Sequence, residues 1–185
     1  MSKTDFFRIR VYFTVLITLA IWSLLTWNYF HGGVPSHHIL ANKDLPEISN
    51  MWGAILLPLL TWLLTYRVQK RIFLESNWQA ELSLIRHAIY SFAFSLTFGI
   101  VAAGFFYYGY PDMTGNLMVG IFVLALFLPV YRGECLLGFV IGMTVTFGAV
   151  LPIGIGSILA SIAFVMYRGV RPAAMYVGSL LKKKL

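Results

Sequence analysis

The side chains able to do chemistry crowd into one stretch, His31–Trp52 (HGGVPSHHILANKDLPEISNMW), between two strongly apolar runs. It holds three of the four histidines, His31, His37 and His38, and with them Asp44, Glu47 and Asn50. Imidazole and carboxylate together suit a divalent metal such as zinc, so His31, His37, His38 and Asp44 form a candidate metal set. Their spacing matches no established zinc pattern, and adjacent His37 and His38 point apart on any regular backbone. Without a metal, the same residues describe an interfacial loop of hydrogen-bonded histidines, whose titration near neutral pH would make a proton-sensitive outer gate.

A second candidate lies just downstream. If residues 45–66 are helical, Glu47, Asn50, Met51 and Ala54 share one face by the three-and-four spacing. Pro58 follows on that face and has no N–H to donate to the Ala54 carbonyl. A freed carbonyl below Glu47 and Asn50 would make a polar notch entering the membrane from outside. Glu47, Asn50, Ala54 and Pro58 are therefore the candidate substrate- or ion-binding set. The plainer reading is a proline kink whose carbonyl a neighbouring helix satisfies. Ser36 beside His37 does not make a hydrolase, because adjacent side chains lack nucleophile-to-base geometry and no Gly-x-Ser-x-Gly turn is present. His87 lies on the opposite side from the other histidines, which argues against a haem held between helices.

The elements that must position these residues are membrane helices. Of the 185 residues, 59% are hydrophobic and only 11% charged, and the mean hydropathy is +0.78. A water-soluble domain carries about a quarter charged residues and could not cover such a surface. The net charge of +7 does not point to nucleic acid, because the basic residues flank apolar runs instead of forming a patch. The single cysteine, Cys135, excludes an intramolecular disulfide and a cysteine-rich metal site.

Residues 11–30 carry no charge, and twenty residues at about 1.5 Å each match the hydrocarbon thickness of about 30 Å. The run ends in Trp27, Tyr29 and Phe30 instead of small residues, so it is expected to be a retained span and not a cleaved signal. Further spans are expected at 45–66, 89–108, 117–131, 136–150 and 153–167. Asp44 would cap the second, with Pro46 in its first turn. An outer loop would occupy 31–44, and 67–88 would be an amphipathic cytoplasmic connection. The apolar run 136–167 is too long for one crossing, and Pro152, Gly154 and Gly156 place the break near its middle. A re-entrant hairpin there would also return the chain to its starting side.

Charge decides the count. With six spans and a cytoplasmic N-terminus, 13 of the 14 lysines and arginines lie inside and only Lys43 lies outside. The expected fold is thus all-α: a single polytopic helical bundle over 1–185 with both termini cytoplasmic, placed in the bacterial inner membrane. Helices 1–3 and 4–6 would have opposite orientation, but the two halves share no residue-level similarity.

No charge lies deep in any span, which argues against a charge-relay pump. The leading functional expectation is a channel or carrier for a small solute or ion, with its outer vestibule at 31–58. A metal-dependent enzyme at the outer interface is one alternative. The other is a non-catalytic subunit that assembles through small residues, Gly99 and Ala103 on one helix and Gly138 and Gly142 on another. The expected partner is the bilayer, with a homo-oligomer or larger membrane complex open and nucleic acid excluded.

Overall fold

A computed structural model describes residues 3–34, 36–38, 47–74, 78–173 and 175–176. The described residues are mostly helical, with one short antiparallel strand pair. The helices are α1 (Lys3–Phe30), α2 (Gly53–Leu74), α3 (Trp78–Tyr107), α4 (Pro111–Phe127), α5 (Gly133–Phe147) and α6 (Val150–Val165). A π-helical turn, Met166–Val170, extends α6. Four segments are long and apolar enough to cross a membrane: Lys3–Phe30, Asn50–Phe73, Leu82–Tyr107 and Val150–Ala173. Helices α4 and α5 have 17 and 15 residues, reaching only about 25 and 22 Å at the helical rise.

Several boundaries differ from the sequence expectation, each for a local reason. The second helix does not start at 45. Residues Ser36–His38 (β1) and Glu47–Ser49 (β2) pair as an antiparallel ladder, with His38 opposite Glu47. Ser49 is extended, and its hydroxyl accepts from the Met51 amide at 3.2 Å, capping a short 3₁₀ turn, Asn50–Trp52, ahead of α2. Asp44, expected as the cap, lies outside the described residues. The connection expected over 67–88 is mostly helix, because α2 runs on to Leu74 and α3 begins at Trp78. No proline or glycine interrupts either flank. Helix α4 starts at Pro111 and stops at Phe127, earlier at both ends than expected. Proline suits a first helical position, and Leu128 is extended, as the residue before a proline (Pro129) tends to be.

The break between α5 and α6 falls at Gly148, not at Pro152, Gly154 or Gly156. Gly148 has φ 70° and ψ 179°, a backbone region that is nearly glycine-only. Pro152 instead sits in the first turn of α6, where its missing N–H costs nothing.

Contacts at the two ends show that the helices alternate in direction. At one end the Lys3 carbonyl accepts from Gln69 Nε2 at 3.2 Å, Arg71 of α2 pairs with Glu134 of α5, and Tyr131 packs on Tyr167. At the other end Trp22 of α1 bonds to Ala54 of α2, Thr114 of α4 bonds to the Ala102 carbonyl of α3, and Phe106 meets Phe147. The start of α1 and the end of α6 therefore lie at the same end of the bundle.

Helix α5 is its axis. Nine of its residues are buried, on all sides of the helix, so neighbouring helices enclose it. Phe139, Val140 and Met143 pack with Ile21 and Leu25 of α1 and Leu57 of α2. The closest seam is with α3. A Cβ on Gly142 would stand 2.5 Å from the Leu96 carbonyl oxygen, and one on Gly99 would stand 2.7 Å from that of Phe139. A Cβ on Gly138 would overlap the Phe92 carbonyl oxygen. Only bare backbones approach so closely, and in lipid such van der Waals packing is what holds helices together.

Candidate functional site

The two sites expected near 31–58 resolve differently. His31 is exposed, with its ring stacked on Trp27 at 3.9 Å and Nδ1 2.9 Å from the Trp27 carbonyl. It closes α1 just ahead of Gly32 and Gly33, whose φ values of 116° and 94° turn the chain away. The side chains of His37 and His38, and all of Asp44, lie outside the described residues. Among the described residues no group of three histidines, cysteines, aspartates or glutamates could hold a metal.

The carbonyl that Pro58 leaves without a helical donor is not open. Trp22 Nε1 of α1 donates to the Ala54 oxygen at 3.1 Å. The expected notch is thus a proline site bridged by a neighbouring helix. Asn50 is buried at 5% exposure and fills the space beside Gly148, where a Cβ would overlap its amide group. It fastens the entry of α2 to the α5–α6 turn and does not face an aqueous vestibule. The Glu47 side chain is outside the described residues. The cleft nearby, between Trp22, Thr26, Tyr29, Met51 and Ala54, is mostly apolar.

The glycines meet within the chain. Gly99, Gly138 and Gly142 line the α3–α5 seam, and Ala103, one helical turn beyond Gly99, is buried at 4% exposure.

The polar chemistry converges at the other end. There α2, the α4–α5 connection, α5 and α6 enclose an open cleft of ≈ 690 Å³. Arg67 and Arg71 line it from α2, Tyr131, Arg132 and Glu134 from the start of α5, and Ser157 and Ser161 from α6. Glu134 is 3% exposed. Arg71 grips it with two bonds, Nη2 to Oε1 at 2.8 Å and Nη1 to Oε2 at 3.3 Å, the planar fork that guanidinium and carboxylate form together. Arg71 Nε is buried without a partner.

Arg67 and Arg132 are not matched by any carboxylate among the described residues. Among the described residues, three guanidiniums and one carboxylate line the cleft, so positive charge is in excess there. Arg132 caps α5 without a side-chain hydrogen bond, and the positive end of the α5 dipole adds to the same field. The serine hydroxyls donate within α6, Ser157 to Ile153 at 2.6 Å and Ser161 to Ser157 at 2.8 Å. Leu64, Phe164 and Val165 complete an apolar wall.

In the sequence Arg67 and Arg71 mark the end of one apolar run, and Arg132 and Glu134 the boundary before another. The pairing of Arg71 with Glu134 spans 63 positions, and no local spacing announces it. The sequence signal that was present is the basic RVQKR run (67–71) and the YRGE turn (131–134), which carries one charge of each sign, each short and beside apolar helix.

Apart from Arg10, Asn50 and Glu134, the buried polar side chains among the described residues are Thr61, Ser95 and Thr144. Both threonines donate to the carbonyl four residues back, at 2.8 and 2.7 Å. Arg10 is enclosed at its own position, 3.8 Å from the Trp62 ring centroid and 2.8 Å from Gln69 Oε1. Comparison of the chain with family models, curated proteins and solved structures found no match.

Proposed function

We propose that this chain is an integral membrane protein whose six helices are all embedded in the bilayer. Both termini and the cationic cleft then face the cytoplasm, as the positive-inside rule requires. The supporting arrangement is the gathering of Arg67, Arg71 and Arg132 at the end shared by Lys3 and Arg168, with α5 too enclosed to need a full hydrocarbon length. In function it is a small carrier for an anionic solute bearing a phosphate or similar oxyanion. A carrier fits better than an open pore, since the bundle interior is mostly apolar between its ends and buried Thr61 and Thr144 donate within their own helices.

One observation carries this reading: a cleft holding guanidiniums in excess over carboxylate, at the uncapped start of a buried helix. Such a site recognises an oxyanion by charge and by planar two-point hydrogen bonds.

The test is uptake of radiolabelled butyl phosphate into vesicles containing the purified chain. Uptake above that of protein-free vesicles is expected, falling about tenfold or more when Arg67→Gln and Arg132→Gln are combined, one lost charge-assisted bond being worth about that factor. Uptake indifferent to the double substitution would remove the cleft from the reading. Topology is tested separately: a reporter fused after Leu185 should stay on the cytoplasmic face, and finding it outside would overturn the arrangement.

A further inference from the structure

The cleft is two-faced. Its floor is basic, while one wall is the apolar flank of α6, where Phe164 and Val165 are 49% and 61% exposed. Both residues also line the cleft. The α6 segment Val150–Ala173 is itself one of the four long enough to cross a membrane, so the cleft opens sideways onto a surface that lipid would cover. A small hydrophilic anion gains nothing from such a wall. An amphiphile gains at both ends: its charged group is matched by guanidinium, and each buried methylene contributes about 0.8 kcal/mol.

Resting on the anion-binding reading above, we propose that the natural occupant is an anionic phospholipid-type amphiphile. Its phosphate lies between Arg67 and Arg132 at the start of α5, and its hydrocarbon lies along Phe164 and Val165. Arg71 is the positioning residue. Held in a two-point grip by Glu134, it keeps that carboxylate from repelling the phosphate and leaves Arg67 and Arg132, which no carboxylate among the described residues matches, to bind. The π-helical turn that follows directly places Tyr167 against Tyr131 at 5.6 Å and under Arg171 at 4.7 Å. It forms an aromatic and basic rim of the kind found at headgroup level.

The shared chemistry is a phosphate oxyanion, and the test separates its two sources. Thermal unfolding of the full chain in a nonionic detergent is followed while phosphatidylglycerol, phosphatidylcholine or inorganic phosphate is added. Phosphatidylglycerol should raise the midpoint saturably, with phosphatidylcholine and millimolar inorganic phosphate having little effect. In Arg67→Gln/Arg132→Gln the half-saturating phosphatidylglycerol concentration should rise about tenfold, a loss of about 1.4 kcal/mol. An Arg8→Gln/Lys70→Gln variant, equal in charge change but outside the cleft, should respond like wild type.

Equal losses in the two variants would reduce the effect to general surface charge and overturn the proposal. Stabilisation by inorganic phosphate as strong as that by phosphatidylglycerol would overturn the lipid assignment and leave the anion site standing. Butyl phosphate transport that depends on the cleft, without any phosphatidylglycerol response, would do the same. If every anion fails, both readings fall.

Discussion

The α3–α5 seam makes a quantitative demand on three glycines. In Gly142→Ala, the new Cβ would stand 2.5 Å from the Leu96 carbonyl oxygen and 2.9 Å from the Ile100 nitrogen. Carbon–oxygen contacts between helices normally begin at about 3.3 Å, so the backbones must part by roughly 0.8 Å. A gap of that size forfeits about a quarter to a half of each dispersion contact along the seam. Overpacking of this kind costs about 2–3 kcal/mol. At about 2–4 °C per kcal/mol for a chain this long, the unfolding midpoint in mild detergent should fall by about 5–10 °C. Gly138→Ala and Gly99→Ala should behave alike. The control is Gly120→Ala in α4, where nothing lies within 4 Å of the added carbon. Alanine there should be neutral or stabilising by up to about 1 kcal/mol, from helix propensity alone. Midpoints for Gly142→Ala and Gly120→Ala that agree within error would refute the reasoning, since the two differ only in what the methyl meets.

Three further outcomes are expected. Glu134→Gln should lower stability by about 1–2 kcal/mol in the same assay, as the Arg71 fork loses its charge partner, and adding Arg71→Met should restore part of that loss; strict additivity would speak against the pair. Gly148→Ala should cost about 1–3 kcal/mol for its backbone conformation, with a further loss from overlap with Asn50. The double change with Asn50→Ala should recover only the overlap portion, and full recovery would contradict the backbone argument. Trp22→Phe should destabilise by about 1–2 kcal/mol by orphaning the Ala54 carbonyl. Pro58→Ala in that background should offset the loss by restoring a helical donor, and a worse double variant would show that the carbonyl is not the reason.

Much of the fold was legible before any coordinates, because lipid leaves a chain few choices. Uncharged runs of about twenty residues have to be helical, since no water is present to satisfy their backbone. The structure gathers Lys3, Gln69, Arg71, Tyr131 and Tyr167 at one end of the bundle through direct contacts. The small residues at 99, 138 and 142 could be read as close-approach positions from their type alone. Helix boundaries were less legible. The pause between α5 and α6 went to Gly148 over the more conspicuous Pro152, because proline is harmless in a first turn whereas a left-handed φ needs glycine.

The candidate site was the least legible of all. The sequence alone determined the helical, strongly apolar character of the chain, since that follows from local composition. Tertiary structure decided which polar groups share a space. It spent the Ala54 carbonyl on Trp22, buried Asn50 against Gly148, and brought Arg67 and Arg71 beside Arg132 and Glu134. Those partners are more than sixty positions apart, and a charge pair at that separation is specified by how helices pack, which no spacing along one helix can encode.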